Sequence, residues 1–238
     1  MVRSFDVNQR MEHYHVSGLS MTMIRNGQIH KTETYGVLEA GTSTLVDQQT
    51  LFHACSISKF VSSMLVMKLT AQGILDLDED VNDRLTSWKV PHNTYTQAYK
   101  VTLRTLLSHQ AGIIDPENSF TELDPNTSIP KMANLLTGNA SGLWSTSTDL
   151  ARLVIELMDS LRGQSKIGIS EKYAREMVTS QGCREWTGLG VFLEGNGQDM
   201  VFSSLGWGGR ISMHDPRKSL CRDCYGHYDQ YGYRRPSA

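Results

Sequence analysis

The sequence predicts an α+β fold, an antiparallel β-sheet flanked by helices. Three features carry that expectation: a β-hairpin opens the body of the chain, helical segments follow, and strands return near residue 190. The hairpin is "GLSMTMIRNGQIHKTETYG", in which Leu19, Met21 and Met23 alternate with polar residues and Asn26-Gly27 supplies a favoured two-residue turn. Next, "TLFHACSISKFVSSMLVMKLTAQG" predicts a helix through Phe60, Val61, Met64, Leu65, Met67 and Leu69. Ser56 stands where a cap belongs and Gly73 where a helix stops. The apolar residues spread beyond one stripe, so this helix is expected to be buried on several sides. "LDLDEDVNDRL" predicts a surface loop with a short helix, and "VTLRTLLSHQAG" a short helix ending near Gly112. Residues 115–140, rich in Asp, Pro, Asn and Thr, carry the weakest pattern in the body of the chain. "STSTDLARLVIELMDSL" restarts a helix with Ser147 or Thr148 as cap, and "SEKYAREMVTSQG" is a shorter amphipathic one. "GLGVFLEGNGQDMVFSSLGWGG" predicts two strands around Gly195-Asn196-Gly197. From Arg210 to Ala238 aliphatic residues are few and no amphipathic period holds, which predicts a poorly structured tail.

The bulk properties narrow the classes. With 238 residues the chain can bury a substantial core. A net charge of -2 gives no electrostatic reason to expect nucleic acid as a partner. No apolar run approaches the length that crosses a bilayer, and "MVRSFDVNQRMEHYH" has no apolar core of a secretory signal. The default expectation is therefore cytoplasmic, with an extracytoplasmic location open if a leader was removed. Four cysteines, Cys55, Cys183, Cys221 and Cys224, are too scattered for a disulfide scaffold. Cys221 and Cys224 form C-x-x-C without the second pair that a zinc site needs, and His214 and His227 flank it loosely. No metal and no organic cofactor is expected.

The chemistry centres on "HACSISKF", where Ser56 and Lys59 form S-x-x-K. The motif also occurs at Ser128–Lys131, in a polar, loop-like stretch. Around Ser56 two readings stand. The serine caps a helix, or it is a nucleophile. In the second reading, one helical turn places Lys59 beside the hydroxyl, and the helix N-terminus favours negative charge developing on the nucleophile or its adduct. Burial penalises the charged form of a lysine, and the neutral amine can accept the serine's proton.

Four segments, in order, resemble the serine β-lactamase and penicillin-binding-protein superfamily, in the branch of class C β-lactamases, D-Ala-D-Ala carboxypeptidases and related esterases. "VSGLSMTMIRNGQIHKTETYG" resembles the branch's opening hairpin and "TLFHACSISKF" its nucleophile segment. "LRTLLSHQAGI" is similar to its L-L-S-H-x-x-G segment and "SGLWSTSTDLARL" to its G-L-x-S-T-x-x-D-L-A-R segment. The resemblance implies catalysis by Ser56 with Lys59 as general base. It also matches "LGWGGR" to a W-G-G strand, so that Trp207, Gly208, Gly209 and Arg210 would align substrate and complete an oxyanion hole with the Ser56 N–H. W-G-G equally suits an ordinary strand-end turn, and Trp207 either lines a pocket or fills the core.

The family's Tyr-x-Asn element has no counterpart. Only 32 residues separate His109 from Gly142, and none of the nine tyrosines is followed two places later by asparagine. Residues 1–209 are therefore expected to form one serine-hydrolase domain with a reduced helical lobe, deleted around 115–141, and 210–238 an atypical tail. The implied substrate is a small-molecule ester, a β-lactam or a D-amino-acid peptide, with W-G-G and the missing asparagine favouring esters. The alternative is an inactive truncated homologue, at most a binding module. Oligomeric state is not readable from these residues. His109 is expected to be structural at a helix end, and Cys55 a small buried hydrophobe.

Overall fold

A computed structural model describes residues 6–113, 142–182, 184–195 and 201–206, together with the backbone of 209–214 and 224–231. Helix α1 (Val7–Tyr14) precedes the hairpin of β1 (Val16–Arg25) and β2 (Gln28–Gly36). The short strand β3 (Phe52–His53) leads into α2 (Ile57–Ala71), followed by α3 (Val81–Arg84), α4 (Thr94–Ala98) and α5 (Leu103–Leu107). After residue 141 come β4 (Trp144–Ser145), α6 (Ser147–Ser160) and α7 (Glu171–Met177). Strands β5 (Phe192–Glu194), β6 (Val201–Gly206), β7 (Gly209–His214) and β8 (Cys224–Tyr231) complete the order. The main sheet is antiparallel with strand order β2-β1-β8-β7-β6-β5, and β3 pairs separately with β4. This is the α+β architecture expected from the sequence.

The hairpin turn forms as Asn26-Gly27 requires, with φ of 53° and 73°, the left-handed conformations of a type I′ turn. Alternation holds along β1, but the buried face is not the one carrying Met21 and Met23. Ser20, Thr22 and Ile24 are buried, while both methionines are partly exposed. The hydroxyls tolerate burial because they are paired. Ser147 Oγ lies 2.8 Å from both Ser20 Oγ and Thr22 Oγ1, joining the sheet to the first turn of α6. The cap of α6 is Thr146, one residue before the expected positions, and its hydroxyl accepts from the Asp149 N–H at 3.1 Å.

Helix α2 is the central one. Ile57, Phe60 and Met67 are fully buried and Met64 nearly so, and of residues 57–70 Leu65 alone is exposed, at 55%. These side chains meet Leu150, Val154 and Leu157 of α6, Ala174 and Met177 of α7, and Ile24, Leu193 and Phe202 from the sheet in one core. At the far end Gly73 takes φ of 72°, the left-handed stop expected there. A smaller cluster of Val81, Val90 and Val101 sits under α3 to α5.

Two expectations fall partly or wholly outside the described residues. The segment around 115–141, and with it the expected deletion and the second S-x-x-K, lies outside them. The reading of 210–238 as a poorly structured tail is corrected for two segments. Residues 209–214 pair with β6, and residues 224–231 pair with β1 on one side and β7 on the other. Backbone pairing on both edges supplies what the aliphatic-poor sequence did not signal.

Candidate active site

The path into α2 is held as a tight turn. The Ile57 N–H donates to the Ala54 carbonyl at 3.0 Å, Ser58 N–H to Cys55 at 2.9 Å and Lys59 N–H to Ser56 at 3.0 Å. Cys55 pays for this geometry with φ of 45°, a left-handed conformation that strains a residue with a side chain. Ser56 sits at the cap position with helical φ and ψ, and its hydroxyl makes no capping hydrogen bond. The oxygen is engaged elsewhere: Lys59 Nζ donates to Ser56 Oγ at 3.0 Å. Both residues are half-buried. The structure thus brings the two S-x-x-K side chains together and leaves the capping role unfilled.

Three supports fix this turn. The Ala54 N–H donates to the Leu143 carbonyl at 2.8 Å, and the Leu143 N–H donates to Ser58 Oγ at 3.1 Å. The segment before α6 is thereby clamped to the serine's own segment. Gly206, the last residue of β6, forms the second support. A Cβ built there would lie 2.6 Å from the Ala54 carbonyl oxygen and 3.3 Å from the Ser56 nitrogen. The strand end therefore lies against the backbone of the serine, an approach that only glycine permits. Gly190 supplies the third, because a Cβ there would fall 2.4 Å from the Ser63 Cβ and 3.3 Å from the Lys59 carbonyl oxygen, so the chain lies against α2.

Of the residues matched to W-G-G, Trp207 and Gly208 lie outside the described residues. Gly209 and Arg210 open β7, paired with Gly206 and Leu205 across a two-residue connection. Gly206 was not singled out in the sequence. Its signal was its place in "LGWGG", directly before the matched motif.

The neighbours of the pair are titratable. His53 Nδ1 and Cys55 Sγ are 3.1 Å apart, and the His53 ring lies 5.2 Å from that of Trp144 on the paired strand β4. Burial pushes the Cys55 thiol above its ordinary pKa, against a smaller pull from the Lys59 charge. His109 follows α5 with φ of 57°. Burial, then the charges of Lys59 and Arg184, lower its pKa below the ordinary imidazole value, so the uncharged form predominates at pH 7. No cluster of three or more metal-ligating side chains occurs among the described residues. Nor is any described helix long and apolar enough to cross a membrane.

An α+β sheet backed by a buried helix, with S-x-x-K at that helix's start, defines the serine β-lactamase and penicillin-binding-protein superfamily. The Beta-lactamase family model matches residues 6–129, just over half of the chain, and the chain belongs to that family. Penicillin-binding protein 4 of Amycolatopsis lactamdurans is 36% identical over 104 residues. That match covers 44% of this chain and 26% of the relative, so the chain spans only about a quarter of it. Among solved structures, the octameric penicillin-binding protein homologue from Pyrococcus abyssi superposes with a TM-score of 0.74 at 16% identity, covering 95% of this chain and 72% of that one. The β-lactamase/D-alanine carboxypeptidase from Pseudomonas syringae gives 0.68 at 16% identity, covering 95% and 92%. At these identities the two structures establish the fold.

Proposed function

We propose that the protein is a serine hydrolase that works by acyl transfer to Ser56. The observation that carries this reading is the 3.0 Å hydrogen bond between Lys59 Nζ and Ser56 Oγ beside the end of β6. Once it has lost its own proton, the Lys59 amine takes the hydroxyl proton as Oγ attacks the substrate carbonyl. The Ser56 N–H, at the start of α2, and an N–H of the matched W-G-G strand, at Gly209 or Arg210 where β7 opens, stabilise the oxyanion. When the tetrahedral species collapses, the lysine ammonium returns the proton to the departing alcohol or amine. Water, deprotonated by the same amine, then hydrolyses the acyl-enzyme.

The substrate class is an ester or amide, with β-lactams and D-amino-acid peptides among the amides. Esters are favoured, because no Tyr-x-Asn is present to bind an amide. The same absence favours a second reading: a truncated homologue that binds without turnover.

The deciding experiment incubates the protein with a fluorophosphonate or a fluorescent penicillin and locates adducts by mass spectrometry. Label on Ser56, lost in Ser56→Ala and slowed in Lys59→Ala, is the expected outcome. No label on a chain whose circular dichroism shows it folded establishes the second reading. Hydrolysis of a chromogenic cephalosporin is expected to be slight.

A further inference from the structure

Three aromatic rings step outward from the Lys59 side of this turn. His109 and Phe192 are nearly parallel, at an interplanar angle of 10° with centroids 6.1 Å apart. Phe192 and Trp186 follow at 5.9 Å and 30°. Near-parallel aromatic rings prefer an offset stack, which leaves part of a face uncovered. Trp186 is 48% exposed, and His109 also reaches solvent.

The backbone ties this staircase to the serine. Phe192 pairs with Ser203 on β6, the strand whose last residue abuts Ser56. Gly190, two residues before Phe192, lies against Ser63 of α2, one turn on from Lys59, and donates its N–H to Leu107 at 2.8 Å, two residues before His109. The Leu193 N–H donates to the Trp186 carbonyl at 2.8 Å, which holds the outermost ring beside β5. The charge of Lys59 is felt at the His109 ring, in keeping with that placement. The Arg184 guanidinium lies over the Trp186 ring, 5.4 Å from its centre.

We propose that His109, Phe192 and Trp186 form a stepped aromatic ledge that binds an aryl group of the substrate, making aryl esters the preferred class. The inference rests on the hydrolase reading for its chemistry, though not for its binding. An exposed tryptophan at the end of a ring stack offers the part of its flat apolar surface that Arg184 leaves open to a flat apolar group. A saturated ring of similar size cannot lie on it with equal contact. Neutral His109 adds a third π surface without a charge to desolvate.

The test separates binding from turnover. Calorimetric titration of the Ser56→Ala protein compares 2-naphthyl acetate with cyclohexyl acetate. Expected are at least tenfold tighter binding of the naphthyl ester and at least a fivefold loss of it in Trp186→Ala and in Phe192→Leu, with cyclohexyl acetate unchanged. Because Trp186 is exposed, its truncation leaves the core intact, which circular dichroism verifies. Equal affinity for the two esters, no binding of either, or naphthyl affinity unmoved by both substitutions overturns the ledge. Fluorophosphonate labelling of the parent protein is scored separately. Labelled Ser56 with no naphthyl preference sinks the ledge alone, whereas naphthyl preference with unlabelled Ser56 sinks the hydrolase reading and upholds the ledge as a ligand site.

Discussion

Gly206 and Lys59 both constrain Ser56, one by backbone contact and one by a hydrogen bond. A methyl group at Gly206 would meet the Ala54 carbonyl oxygen and the Ser56 nitrogen, both backbone atoms that cannot rotate away. Gly206→Ala is therefore expected to cost about 1–3 kcal/mol of stability through overpacking. It should also slow Ser56 labelling by roughly 100-fold, since a small displacement of the attacking group is costly. Thermal denaturation and label kinetics on one sample check both. Lys59→Met keeps the side chain's bulk without its base, and is expected to slow labelling by about 10²–10⁴-fold. It should also remove the rise of the rate with pH that deprotonation of an amine gives, which a purely structural role would leave in place. His109 contributes a pH dependence of the same sign in a different quantity, stability. Its pKa in the fold is below the ordinary imidazole value, so the unfolded chain binds the proton first. Stability is then lost as pH falls from the ordinary imidazole range to the lowered value. Denaturant midpoints measured across that window should fall less in His109→Gln than in the parent.

Helix α6 carries a polar group that the hydrophobic period passes over. Glu156 is 7% exposed, on a face with Leu157 and Val154 close by in sequence. Its carboxylate accepts from Ser165 Oγ at 2.7 Å and from the N–H groups of Lys166 at 2.9 Å and Ile167 at 3.3 Å. It therefore orders the turn that delivers Ile169, itself 1% exposed, to the core. Glu156→Ala leaves those donors without their acceptor, at about 1–3 kcal/mol for each that stays buried. Urea denaturation is expected to show a loss of at least about 2 kcal/mol, and a loss under ~0.5 kcal/mol would contradict the assignment. The helix itself was legible from the spacing of Leu150, Leu153, Val154 and Leu157, as α2 was from its apolar run and stop glycine. What local pattern could not reveal is pairing across distance. Ser20 and Thr22 look like a solvent face until Ser147, more than a hundred residues later, supplies their hydroxyl partner. Likewise Ser56 and Lys59 were legible as a pair, while the contact of Gly206 with the Ser56 backbone depends on where β6 ends.

At the scale of the whole molecule, the sheet is closed from both ends of the chain. Strand β1 is ten residues long and has β2 on one edge; β8 covers the other. "CYGHYDQY" has no aliphatic residue, so its strand character was not readable locally. It follows instead from the unpaired donors and acceptors that a long strand such as β1 would otherwise present. Between β1 and β7, β8 also couples the N-terminal hairpin to the β6–β7 hairpin whose first strand ends at Ser56. A chain ending at residue 223 would expose the edges of both β1 and β7. Such edges pair with other chains, so this shortened protein is expected to elute in higher-order species and to lose its sharp unfolding transition. A chain ending at residue 231 retains β8 and is expected to keep the elution volume and melting transition of the 238-residue chain. The comparison needs only size-exclusion chromatography and a thermal melt. If the 223-residue chain keeps the elution volume and the unfolding midpoint of the full chain, β8 does not hold the two hairpins together. The support of Ser56 must then come from α2 and β6 alone.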